Sequence, residues 1–436
     1  MTGHPTRRSA LLGGAAILGA SRAARAADVD VVVVGAGAAG LAAAKRLVEL
    51  GRTVRVVEAR SRLGGRVHTD NRLGIPFDAG AQYIHWAERN PWTAIAAASG
   101  LRTEADAGGN PPQIYANGVV LPDGERGRRR RAFMRIDALI SSGARPDRSI
   151  ADAVRADGPA LLQAASGLAR LTLGEEADRV SAADYDGLWS GDDLVLPDGY
   201  GTLVEIYGRG LDVRLGTPVR AVDWSGPGVR VDTDAGTLAT RAVVVTCSVG
   251  VLQAGGIAFR PGLPAAAADA LAGLRMGAYT KVALRMDGAR PAVSRLVDLI
   301  DLETPDATTS FEARPFGRDL VIAYTGGDFA RQLCEAGERE AVDHAAERLA
   351  AIAGADLRRA VTGGVLADWW TDPFSRGSYS IASPGRAGAR EALRAPIAGR
   401  LWLAGEAGAG GGAMTAGGAF LEGRRAADEV ARALSA

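Results

Sequence analysis

The 436 residues carry 51 basic and 50 acidic side chains, a formal net charge of +1, and 47% hydrophobic residues. That length holds two domains and a sizeable core, and near-neutrality gives no electrostatic footing for nucleic-acid binding. With four histidines, and with Cys247 and Cys334 in no C-x-x-C or metal-like spacing, no metal centre is expected; the two thiols pair only if the fold brings them together.

The N-terminus reads TRRSALLGGAAILGASRAARA. A twin arginine (Arg7, Arg8) precedes an apolar run, residues 10–20, too short to span a bilayer, and Ala24 and Ala26 then give a cleavage pattern before Ala27. This is the pattern of a twin-arginine export signal over 1–26, predicting a periplasmic or secreted chain carried across already folded. The alternative is an uncleaved basic tail. No second long apolar segment follows, so no stable membrane insertion is expected.

DVDVVVVGAGAAGLAAAKRLVELGRTVRVVEAR is the most informative segment. Residues 29–34 are the β-branched run of a parallel strand buried on both faces. Gly35, Gly37 and Gly40 form G-x-G-x-x-G ahead of an Ala- and Leu-rich helix, and a second strand ends at Glu58. The glycines permit a tight turn, close approach to a pyrophosphate and close helix–strand packing. The helix N-terminus offers N–H groups to phosphate, and Glu58, about 20 residues on, is placed for a ribose. The motif marks a dinucleotide site without separating NAD from FAD.

EARSRLGGRVHTD then sets Gly64, Gly65 and Arg66 to clasp a pyrophosphate from its other side. This arrangement, with FDAGAQYIHW after it, resembles the flavin amine oxidases, the family of monoamine oxidases, polyamine oxidases and lysine-specific histone demethylases. By that resemblance FAD is held by Gly35, Gly37, Ala39, Gly40, Glu58, Ala59, Arg60, Gly64, Gly65 and Arg66. Gly80, Ala81, Gln82 and Tyr83 contact its ring, and His85 and Trp86 face the substrate.

From residue 90 to about 191 the pattern turns helical and polar without strand signals. Its basic run ERGRRRR, 125–131, suits a solvated helix or loop face better than an anion-binding patch. Short alternating strands with Gly/Pro turns occupy 211–245, where the resemblance sets Val219 against the adenine. Cys247 follows as a small buried hydrophobe. LRMGAYTKVALRM forms an apolar strand around Lys281. A strand at 320–325 and helices over 328–353 come next, and VLADWWTDPFSRGSYS returns Trp369 and Tyr379 to the flavin. The C-terminal segment, 400–434, reads strand, glycine loop, helix. Gly408, Gly410 and Ala413 loosely fit a second nucleotide motif, but no strand follows that helix to complete a βαβ unit. The resemblance instead places Gly405 and Glu406 at the ribityl and pyrophosphate, with the helix starting near Thr415 aimed at the ring.

In this family two side chains flank the flavin, and the match puts Tyr379 on one wall and Thr415 on the other. A threonine there is similar to polyamine oxidases and histone demethylases, whereas monoamine oxidases carry an aromatic. Ser378 stands where monoamine oxidases attach FAD through cysteine, which implies non-covalent FAD. Arginine accounts for 49 of the 51 basic residues, and the only lysines are Lys45 and Lys281. Tyr279, Lys281, Ala283 and Arg285 share one strand face, so Lys281 either snorkels to solvent or, as the resemblance implies, holds a water at flavin N5 for reoxidation or imine hydrolysis. A compact ammonium loses its proton when buried; a guanidinium does not.

The expected fold class is α/β (α+β overall). A Rossmann-type FAD-binding domain is drawn from 27–89, 192–262 and 375–436, and a mixed sheet-and-helix substrate domain from 90–191 and 263–374. The expected function is an FAD-dependent amine oxidase that turns a small-molecule amine, polyamine-type or secondary, into imine and then aldehyde plus amine. Lys281, Tyr379 and Thr415 are its catalytic residues, and oxygen or a periplasmic electron carrier is the acceptor. The alternatives are an amino-acid or alkaloid-amine oxidase or dehydrogenase, and a non-catalytic flavin-binding partner protein.

Overall fold

The computed structural model describes residues 27–106, 112–143, 146–302 and 306–435. The expected export signal lies outside them. Strand β1 (Val29–Val34) is buried along almost its whole length, as a run of valines with a neighbour on each side must be. It pairs in parallel with β2 (Val54–Val57) on one edge and with Gly236–Val245 on the other. Between β1 and β2, helix α1 (Ala38–Glu49) lays its alanines and Leu41 and Leu47 onto the sheet.

The strand Gly236–Val245 does two jobs. Its first half forms an antiparallel hairpin with Val229–Thr233, and its second half lies parallel to β1 and to Leu401–Leu403. The sheet continues through Val219–Asp223 to Ala258–Arg260, while Val213–Arg214 extends it beyond β2. The C-terminal helix, Ala416–Ser435, returns to pack on α1, so closely that a Cβ on Gly423 would sit 2.0 Å from the Ala39 carbonyl oxygen.

A second sheet has the order Val361–Ala367, Tyr279–Met286, Leu320–Gly326, Thr308–Ala313, Leu299–Leu302, Gln113–Ala116 and Val119–Val120. One face buries Val282, Leu284 and Val321 against the helices Gly327–Ala336 and Glu338–Ala353. The other, with Ala283, Ile322 and Tyr324, packs on Leu73, Phe77 and Ala79. Period-two alternation therefore aims Lys281, one residue before Val282, at the first unit rather than at solvent.

Region 90–191 departs from expectation: it holds strands at Glu104–Ala105, Gln113–Ala116 and Val119–Val120. Gln113–Ala116 exists because Leu299–Leu302 offers it a parallel partner, a long-range pairing that a short mixed-polarity sequence does not announce. The basic run is part of the helix Asp123–Gly143, which buries Ile136 and Ile140 and pairs Arg128 with Glu125 on its solvated side. Among the described residues no helix is long and apolar enough to cross a membrane. Cys247 and Cys334 are both free, and burial pushes each thiol up to about 12.

Candidate active site

A cavity of about 1200 Å³ runs from the end of β1 to the second sheet, larger than the roughly 300–1,000 Å³ of most ligand pockets. Its first part is built by glycine. Gly35, at φ 103°, turns the chain out of β1, and a Cβ on Gly40 would lie 1.9 Å from the Gly35 carbonyl oxygen. Gly40 therefore brings helix to strand and does not itself reach the cavity wall, a correction to its expected place at the cofactor. Gly37 bridges to Gly64, and a Cβ on Gly65 would come within 3.3 Å of the Gly37 Cα. Helix α1 starts without a side-chain cap or an acidic residue in its first turn, leaving its N–H groups and positive dipole end for an anion.

Glu58 is buried, and its carboxylate accepts from the Ala36 N–H at 2.7 Å and the Arg60 N–H at 2.8 Å. A carboxylate has about four acceptor sites, so capacity remains for a hydroxyl pair. Arg60 is held by Asp372 at 2.7 Å and stacks on Phe374. Arg66 donates to the Ser378 carbonyl and to Glu406 Oε1 at 3.0 Å. Burial opposes ionisation of Glu406, but Arg66, Arg390 and the Ser380 hydroxyl outweigh it and hold the carboxyl below its usual range. Ala39, Ala59, Gly80, Ala81, Val219, Trp369 and Gly405 complete this wall, with Trp369 fixed by an indole N–H bond to the Ala79 carbonyl at 2.9 Å. The close-set glycine turns, the buried acid with spare acceptor sites and the uncapped helix end fit a flavin dinucleotide.

Beyond Gln82 the wall changes character. Lys281 is 5% exposed and donates to the Asp78 carbonyl at 2.7 Å and to Gln82 Oε1 at 2.8 Å. Burial lowers its ammonium to about 8 against the opposing pull of Asp78 and Glu312. Tyr379 donates to the Thr172 carbonyl at 3.1 Å, and its ring neighbours Tyr279, which in turn neighbours Tyr324. The Thr415 hydroxyl donates to the Gly412 carbonyl and accepts from the Gly418 N–H at 2.9 Å, capping the C-terminal helix at the cavity wall. Tyr83 and His85 stand at the wall, His85 with Asp193 at 3.0 Å.

Trp86 is a correction. It is 1% exposed, meets Trp189 edge-to-face and backs onto Gly417, so it supports the wall from behind. The residue at the cavity is Trp189, which sequence reasoning missed together with Glu312 and Tyr324. A signal existed for the last two: in TTSFEA, Thr308, Ser310 and Glu312 share a strand face, and in LVIAYTG Tyr324 shares one with Ile322.

Charge is unevenly spread over the cavity. Segments 27–89, 192–262 and 375–436 contribute Arg60, Arg66, Arg220 and Arg376 to the described wall. Beside those arginines they carry the acids Glu58 and Glu406, whereas segments 90–191 and 263–374 contribute Asp106, Asp137, Asp186, Asp298 and Glu312 against a single basic side chain, Lys281, and no arginine.

Comparison with known proteins fits this geometry. Residues 38–189 and 154–431 match the family model described as flavin containing amine oxidoreductase. The chain is 28% identical over 440 residues to polyamine oxidase 4 of Oryza sativa subsp. japonica, covering 93% of this chain and 89% of that protein. It is 26% identical over 441 residues to human lysine-specific histone demethylase 2, covering 92% of this chain and 53% of that one. Wild-type putrescine oxidase bound to putrescine superposes with a TM-score of 0.75 at 21% identity, covering 92% of this chain and 98% of that chain.

Proposed function

Because the chain belongs to the flavin-containing amine oxidoreductase family and is a flavin-dependent amine oxidase, we propose that its substrate is a polyamine-type amine, oxidised to an imine that water splits to aldehyde and amine. The observation that carries this reading is the wall of five carboxylates against one lysine and no arginine, a surplus of negative charge that suits a chain bearing more than one positive charge. The similarity to a polyamine oxidase along almost the whole chain supports it. An amino-acid substrate fits less well, since its carboxylate would meet acids where it needs a guanidinium.

The flavin, when bound, accepts hydride from the carbon beside the amine nitrogen. Glu58, the glycine turns and Arg66 would hold FAD, and with a hydroxyl at Ser378 the attachment is non-covalent. Tyr379 and Thr415 border the reacting amine, and the acids keep the remote ammonium groups in place. Two of the lysine's three hydrogens are committed to Asp78 and Gln82, so Lys281 can give up its third without losing its position. In that form its lone pair orients a water for imine hydrolysis or for the return of electrons to oxygen or a periplasmic carrier. Arg7 and Arg8 support export by the twin-arginine route.

The test is anaerobic mixing of flavin-loaded protein with diamines, polyamines, monoamines and amino acids while following the flavin's visible absorbance. Diamines or polyamines bleach it fastest. If no amine bleaches it, the enzymatic reading falls to that of a flavin-binding partner protein; if amino acids do so best, the substrate class is wrong.

A further inference from the structure

Gln82 is fixed between two charged groups. Its Oε1 accepts from Lys281, which turns its Nε2 to the opposite side, where it donates to Glu312 Oε2 at 3.2 Å. The Tyr324 hydroxyl donates to the same Glu312 oxygen and lies 2.9 Å from Gln82 Oε1. Lys281 Nζ stands 5.3 Å over the Tyr324 ring. Lys281 and Glu312 are thus joined by unbroken hydrogen bonds through two buried side chains, and both line the cavity.

We propose that Gln82 and Tyr324 couple Glu312 to Lys281, so that a cationic arm of the substrate seated at Glu312 governs whether Lys281 keeps its proton. The inference rests on the polyamine reading above. Glu312 favours the lysine's charged form. A cation at Glu312 cancels that support and repels the ammonium, so the proton leaves to cavity solvent while the bonds to Asp78 and Gln82 remain. Asp78 acts on Lys281 from the other side and is itself pushed towards neutrality by burial. Tyr83 and Tyr279 face Glu312 and stay protonated, each raised first by burial and then by that carboxylate. Gln82, Tyr324 and Glu312 are positioning residues in this scheme: they set the state of Lys281 when the substrate is in place.

A chain with two lysines makes the test direct. Flavin-loaded protein labelled with 13Cε-lysine gives two titrating signals, and Lys45, 4.4 Å from the Tyr207 ring, is the internal reference. Glu312→Gln should lower the Lys281 midpoint by about one pH unit, a tenfold loss of proton affinity, and leave Lys45 unmoved. In the wild type, saturating 1,4-bis(trimethylammonio)butane, a dication without a lone pair to oxidise, should lower it similarly, and in Glu312→Gln it should do nothing. Should Glu312→Gln not fold, Tyr324→Phe removes only the hydroxyl and carries the same test with a smaller shift. A Lys281 midpoint unmoved in a folded variant overturns the coupling. A midpoint lowered by the variant but indifferent to the dication overturns the cationic-substrate reading and leaves the relay standing.

Discussion

An ammonium taken out of water loses hydration worth several kcal/mol, and Lys281 recovers part of it through two carbonyl-type acceptors and two nearby acids. Its folded-state pKa of about 8 lies below the ordinary 10.5. Between those values the unfolded chain binds a proton that the folded chain has released, so stability rises with pH across that window. Against Lys281→Met, the wild type should gain on the order of 3 kcal/mol from pH 8 to 10.5 and show no pH-dependent difference below pH 8. Paired thermal melts across that range read it, and parallel curves would mean the lysine is solvated. In the catalytic cycle the same variant should slow reoxidation by oxygen about 100-fold and leave anaerobic bleaching within a few-fold. Stopped-flow absorbance separates the two steps, and equal effects on both would remove the lysine from the oxidative half.

At the level of elements, the contact between α1 and the C-terminal helix is set by Gly423. A methyl there meets the Ala39 carbonyl, so Gly423→Ala must push the helices apart. The expected cost is about 1–3 kcal/mol, visible as a lower melting temperature and weaker flavin retention, because α1 carries the phosphate-facing N–H groups. An unchanged melt would show that the helices slide freely. The β1–α1–β2 unit was legible in sequence because each part follows a local rule: valines for a doubly covered strand, glycines for the turn, alanines for close packing. The wall beyond Gln82 was not. Glu312 and Tyr324 lie on separate strands, Gln82 is remote from both, and only sheet pairing brings them together. Trp86 was expected at the substrate from the resemblance, but it falls with buried Ile84 on the side opposite Tyr83 and His85, which do reach the cavity.

Across the whole molecule, a buried ion pair ties the helical region to the dinucleotide side. Arg390 donates to Asp184 at 2.6 Å and 2.9 Å, with both side chains almost wholly buried, and also to the Ser380 hydroxyl that bonds Glu406. Arg390→Met strands the acid and should cost about 3–5 kcal/mol in the flavin-loaded protein. Adding Asp184→Asn should restore part of it, and additive losses in the double variant would show that the pair is not coupled.

The sheet that frames the dinucleotide cradle joins β1, from the beginning of the described chain, to Leu401–Leu403, and α1 finds its partner in the last helix. On the ribosome β1 and α1 emerge well before Leu401–Leu403 and Ala416–Ser435. In that interval the side of α1 around Ala39 lacks the partner that Gly423 later brings against it, a state that invites aggregation or a chaperone. Cofactor loading therefore has to wait for Ala416–Ser435: before that helix has left the exit tunnel the nascent chain has no complete cradle to offer.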